Sequence, residues 1–278
     1  MIYVNGDSFT SGVGLSDHEF VPDFEKYNID NISINDYAVI RQSLLSNYDK
    51  YTAYKTRNKE LSWPALMGKI LGTEVINAGE RGSSMSSILY RTLLDITKLQ
   101  MKGITPERVI IMLTSPNRVS FIQIPADKNL PPVDFDGEGR RWIESIVLGN
   151  TDINIKLKNL LKETIQTHTD GDLLIKWLLE IALIKNVVKS LTGKYPIIAI
   201  LDYMILYYKT QATILNISNN SAFSELISAS DILNIDSTLS MHPINLLPDR
   251  HYDNESHEIF AHKVAKYIQT LNNKENNI

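Results

Sequence analysis

The chain predicts an α/β protein built on a parallel sheet with helices on both faces. Three observations predict it. Short apolar runs bounded by turn residues alternate with longer stretches of helical periodicity. The runs are apolar throughout rather than every second residue, the pattern of strands buried on both sides. Finally, 278 residues with 43% hydrophobic content are enough to bury a substantial core.

The first strand is residues 2–5, followed at once by Gly6-Asp7-Ser8. Further strands are expected at 74–77, 108–114, 196–202 and 231–235. Between them, helical spacing marks 62–71, 84–101 and the long stretch 153–191. That stretch breaks at Thr169-Asp170-Gly171, which reads as the turn of a helical hairpin, and Gly193 and Pro196 end it. A last helix at 256–271 carries Ile259, Phe260, Val264 and Ile268 on one face, and the polar residues 272–278 are expected to fray. Two regions interrupt the alternation. Residues 16–60 form a long polar excursion, and 118–152, with Pro125, Pro131 and Pro132, read as irregular loop. The predicted organisation is one domain, 1–278, with insertions at about 16–60 and 118–192. There is no internal repeat and no low-complexity segment.

Composition excludes several function classes. A net charge of −4 with no lysine or arginine cluster removes the electrostatic case for nucleic acid. No apolar stretch approaches the ~18 residues of a membrane span. The first strand starts at residue 2 and is followed by Asp7, which leaves no room for a signal peptide, so a cytoplasmic protein is expected. With no cysteine there is no disulfide, no thiolate nucleophile and no thiolate metal site. Covalent catalysis would need an oxygen or nitrogen nucleophile.

Ser8 lies on the loop leaving the C-terminal end of a strand, the edge of an α/β sheet where ligands bind. A serine there is either a nucleophile or a cap or turn residue. Near the other end, Asp249 and His251 are two apart, so in an extended segment their side chains face the same way and the carboxylate could fix the imidazole tautomer. The alternative is a solvated loop histidine. Asn77-Ala78-Gly79-Glu80-Arg81-Gly82 leaves the second strand, and a glycine there can aim its N–H at an oxyanion. Ser83 or Ser84 would then cap the next helix. After the third strand comes Ser115-Pro116-Asn117-Arg118, where Asn117 offers a side-chain amide or is a turn residue.

Taken together, these pieces resemble the blocks of the SGNH (GDSL-type) hydrolase family, in the family's order. Gly6-Asp7-Ser8 matches the first block, with Ser8 in the nucleophile's place. Asn77-Ala78-Gly79 with Gly82 matches the second, Asn117 falls in the third, and His251, followed by Ser256-His257, matches the last. Ser62-Trp63-Pro64-Ala65-Leu66 is a further family feature. Ser115 and Arg118 depart from the usual Gly and Asp, Asp249 stands one residue nearer the histidine than usual, and Tyr252 replaces a common proline.

The resemblance implies a three-layer α/β/α, flavodoxin-like fold with about five parallel strands. It implies hydrolysis of a carboxylic ester through an acyl-enzyme on Ser8, with His251 as base and Asp249 as its orienter. Ser8, Gly82 and Asn117 would form the oxyanion hole, with Asp7 and Asn77 supporting. The substrate implied is a small-molecule or carbohydrate ester, such as a carbohydrate O-acetyl group, with no cofactor and no metal. Two alternatives share these residues: an acyltransferase with the same triad, and a non-catalytic binding or structural protein retaining the fold. The family occurs in tailed phages, so a phage-encoded, virion-associated member belongs to the second alternative.

Rival readings are weaker. His242-Pro243 also resembles the family's last block, but no Asp stands two or three residues before it. His257 and His262 are five apart, about 140° around a helix, too far for a shared zinc. The glycines after the first strand do not make a dinucleotide fingerprint. Trp63 reads as a helix-start anchor, Trp142 as a residue that could stack on a sugar, and Arg118, Arg140 and Arg141 as surface arginines.

Overall fold

A computed structural model describes residues 1–27, 32–45, 47–80, 83–114, 119–123, 141–145, 170–200, 232–234, 247 and 251–276. In chain order the elements are β1 (Ile2–Asn5), α1 (Ser8–Ser11), α2 (Asp17–Phe20), a 3-10 turn (Phe24–Lys26), α3 (Ile34–Leu44), α4 (Tyr48–Leu61) and α5 (Trp63–Leu71). There follow β2 (Val75–Asn77), α6 (Met85–Met101), β3 (Arg108–Met112), β4 (Val119–Gln123) and β5 (Arg141–Ser145). The chain continues through α7 (Asp170–Thr192), β6 (Ile197–Ile200), β7 (Ile232–Asn234) and α8 (Asn254–Asn276). The fold is of the α/β class that the sequence predicts, with parallel strand pairs alternating with helices. No described helix is long and apolar enough to cross a membrane.

The chain divides into two compact units, Met1–Arg81 with Leu233–Ile278, and Gly82–Ile232. In the first, β1 and β2 pair in parallel, with Ile2 opposite Val75, Tyr3 opposite Ile76 and Val4 opposite Asn77. Every residue of β1 is buried, as its unbroken apolar run requires. Helix α5 packs against α8, with the Trp63 ring 4.8 Å from Phe260 and with Met67, Ala261, Val264 and Ile268 buried. Each such large side chain contributes roughly 1.5–3 kcal/mol through burial.

In the second unit β3 and β6 pair in parallel, Ile110 opposite Ile197 and Met112 opposite Ala199. Ser84 caps α6 by accepting the N–H of Ser87 at 3.3 Å. Helix α6 lies against α7, whose Leu178, Ile181, Ile184 and Val188 are buried. Trp177 of α7 donates its indole N–H to the carbonyl of Thr114 at 2.8 Å, pinning the helix to the end of β3.

Four expectations change. The excursion at 16–60 carries helices α2, α3 and α4, with Asn47 capping α4 and Ser33 capping α3 by accepting the Asp36 N–H. Its inward positions on α4 are Tyr54 and Asn58, so no apolar stripe marked it. Within 118–152, β4 and β5 form an antiparallel pair, Phe121 opposite Ile143. Asp170 and Gly171 open α7 rather than forming a turn, while the proposed first arm of the hairpin lies outside the described residues. Finally, α8 runs on to Asn276, because neither glycine nor proline interrupts it.

Candidate active site

Ser8 follows β1 as the first residue of α1, and is 7% exposed. The turn that presents it is tightly bonded. Asn5 Oδ1 accepts the N–H of Gly6 at 2.8 Å, and Asp7 Oδ1 accepts the N–H of Phe9 at 3.1 Å. Asp7 thus acts as the N-cap of α1, giving it a structural task beside Ser8. Gly12 ends the turn at φ +73°, and a Cβ there would stand 2.5 Å from the backbone oxygen of Asn58. Only glycine fits. The Ser8 hydroxyl caps nothing: among the described residues it has no hydrogen-bond partner.

Asn77 braces the turn after β2 against the turn after β1. Its Nδ2 donates to the carbonyl of Thr10 at 2.9 Å and to Ser62 Oγ at 3.0 Å, while Oδ1 accepts the N–H of Gly79 at 2.9 Å. The backbones close up there: Ala78 N–H reaches the carbonyl of Val4 at 2.8 Å and Glu80 N–H that of Gly6 at 3.1 Å. A Cβ on Gly79 would lie 2.7 Å from Thr10 Cγ2. Lys59 Nζ holds the same turn through the carbonyl of Asn77 at 3.2 Å and Glu80 Oε1 at 3.0 Å, and Lys55 meets Glu80 Oε2 at 2.7 Å.

Phe9 connects this corner to the C-terminal segment. Its ring lies 5.0 Å from Tyr252, 4.5 Å from His257 and 5.5 Å from Phe260. Ser8 and His251 are therefore on adjoining segments, each next in sequence to one ring of the Phe9–Tyr252 pair. His251 is half-buried with a buried Nδ1, and its carbonyl accepts the N–H of Leu247 at 2.9 Å, closing the loop before α8. Asp253 caps α8 through the N–H of Ser256 at 2.9 Å. His257 lies in the first turn of α8, and burial, then the nearby His251 charge, pushes its imidazole down to about 3.

The structure thus brings together Ser8, Asp7, Asn77 and the His251 segment. Asp249, Gly82 and Asn117, with the rival His242 and with Arg118, lie outside the described residues. Sequence reasoning placed His257 as a motif companion and as half of a rejected zinc pair, and Tyr252 as a substitution. Their tertiary partners, Trp63 and Phe9, are far away in sequence, and only the Ser62-Trp63 and Ser256-His257 motifs hinted at them.

No family model matches the chain, and no curated protein sequence matches it. Solved structures do resemble it in fold. A member of the lipolytic protein G-D-S-L family from Veillonella parvula is 11% identical, covering 95% of this chain and 96% of its own, with a TM-score of 0.40. The psychrotrophic esterase EstA from Pseudoalteromonas is 11% identical, with 98% of both chains covered and a TM-score of 0.43. An acetyl xylan esterase from the rumen bacterium Butyrivibrio proteoclasticus is 10% identical, with 97% of this chain and 63% of its own covered and a TM-score of 0.46. The chain is similar to these lipolytic and esterase structures across nearly its whole length.

Proposed function

We propose that this chain is a serine esterase of the SGNH (GDSL) type. The observation that carries the reading is the placement of Ser8. It stands at the end of a buried strand, on a turn held by Asp7 and Asn77, with its hydroxyl committed to no described structural bond. The adjoining segment carries a histidine, the residue type that takes up a serine proton near neutral pH.

In the proposed cycle His251 accepts the Ser8 Oγ proton as Oγ attacks the ester carbonyl. The proton then passes to the departing alkoxide, leaving an acyl-Ser8. His251 next deprotonates a water, which releases the carboxylic acid and restores the serine. Asp249 would orient His251 through Nδ1. The N–H groups of Ser8 and Gly82 and the amide of Asn117 would stabilise the oxyanion. The motif resemblance supports a small acyl group, such as acetyl on a carbohydrate, as substrate.

The test is labelling with a fluorophosphonate probe followed by mass mapping. An adduct on the peptide containing Ser8, lost in Ser8→Ala, is the expected result. No adduct at Ser8, or equal labelling of Ser8→Ala, overturns the reading.

A further inference from the structure

The cap of α5 does not come from its own N-cap residue. Trp63 opens that helix, where the first N–H groups have no partner within the helix. Ser62 would ordinarily accept one, but its hydroxyl donates back to the carbonyl of Lys59 at 2.6 Å and accepts from Asn77. The Trp63 N–H instead donates to His257 Nδ1 of α8 at 3.0 Å. This bond decides the chemistry of a ring that is 1% exposed. An imidazole accepting through Nδ1 carries its proton on Nε2, and protonating Nδ1 would set N–H against N–H in a dry site.

The ring so fixed does more than cap a helix. Its centroid lies 4.5 Å from that of Phe9, with planes inclined at 49°. Phe9 adjoins Ser8 and also meets Tyr252, which adjoins His251. One backbone amide therefore anchors a ring that in turn bears on both segments of the proposed catalytic pair.

We propose that His257 is a positioning residue for that pair: its imidazole, anchored by the Trp63 amide, holds Phe9 and so sets where Ser8 stands relative to His251. This rests on the reading of Ser8 and His251 given above. His257 touches no reacting atom. Its effect is geometric, and misplacing a nucleophile by about 1 Å is enough to cost on the order of a hundredfold in rate.

The experiment is a double-mutant cycle on the rate of fluorophosphonate labelling at Ser8, run over a range of probe concentrations well below each variant's Tm. His257→Phe keeps a ring against Phe9 but removes the acceptor for the Trp63 amide. Its maximal labelling rate should fall about tenfold or more, with the half-saturating probe concentration changed less than about twofold. Phe9→Leu should slow labelling similarly, and the double variant should be no slower than the slower single, because both act through one contact. A merely structural histidine would leave the rate unchanged at temperatures where the variant is folded. Wild-type rates in His257→Phe, or losses that multiply in the double variant, overturn the proposal. Should His257→Phe not fold, His257→Asn completes the cycle. It keeps an acceptor for the amide, removes the ring from Phe9, and must show the same non-additivity. A wild-type chain that takes no adduct at Ser8 overturns both this proposal and the esterase reading. A labelled wild type with an unaffected His257→Phe overturns this one alone.

Discussion

Residues 12–17, just downstream of Ser8, are held by a buried polar network, whereas Phe9 beside it is held by rings. In the first region Asp17 is fully buried and accepts from Tyr37 Oη at 2.7 Å, Tyr54 Oη at 2.7 Å and Arg41 Nη1 at 3.2 Å. Ser16 adds its N–H and hydroxyl to Asn58 Oδ1 at 2.8 and 2.9 Å, and Gly14 N–H reaches Tyr54 Oη at 3.2 Å. Burial holds the Tyr54 phenol above the ordinary tyrosine range. In the second region Phe9, Tyr252, His257, Phe260 and Trp63 stack edge to face or tilted, with centroids 4.5–5.5 Å apart. A polar network is directional and fails when one member is removed, since a charge is left buried without its partner. An aromatic cluster is bound by area and loses stability in proportion to what is deleted. The turn that carries Ser8 therefore has a brittle support and a graded one.

Breaking the brittle side gives the largest effect. Asp17→Ala removes the buried carboxylate that accepts from Arg41, itself 3% exposed, and from two phenols, and should cost about 3–5 kcal/mol by urea denaturation. A loss below about 1 kcal/mol would show that solvent reaches the network. The next effect separates the two regions by pH. His257 is neutral in the folded chain down to about 3, while in the unfolded chain it protonates near 6.5. Between those values the unfolded state binds more protons. The contribution of His257 is therefore complete above 6.5 and is lost, at up to about 1.4 kcal/mol per pH unit, as pH falls toward 3. Denaturation curves at stepped pH should show this acid loss in the wild type and less of it in His257→Asn. The smallest effect tests the graded side. Phe260→Leu keeps most of the buried volume and should cost less than about 1.5 kcal/mol in the same assay. A cost equal to that of Asp17→Ala would mean that both regions are brittle.

The parts of the molecule that follow from local rules were legible in the sequence. Residues 2–5 are a strand as expected, since every position is buried and the run is bounded by Gly6. The helix start at Met85 follows from Ser84, which caps it. Legibility failed where the buried face is polar. Helix α4 turns Tyr54 and Asn58 inward, and only their bonds to Asp17 and Ser16 make those positions buried ones. It failed again in 118–152, where three prolines between β4 and β5 outweighed the short strands on either side.

At the candidate site, the sequence by itself determined the type and place of the proposed nucleophile. A serine directly after an apolar strand, preceded by an aspartate that caps its turn, is a local pattern that needs only neighbouring residues. What surrounds that serine was decided by tertiary structure. Asn77 bonding to Thr10, and Phe9 packing on Tyr252 and His257, join residues dozens to hundreds of positions apart. The Trp63 amide that fixes the His257 tautomer is a backbone group, identical in every residue but proline. The Ser62-Trp63 and Ser256-His257 motifs only hinted at the pairing, because the packing of α5 against α8 chooses which imidazole that amide meets.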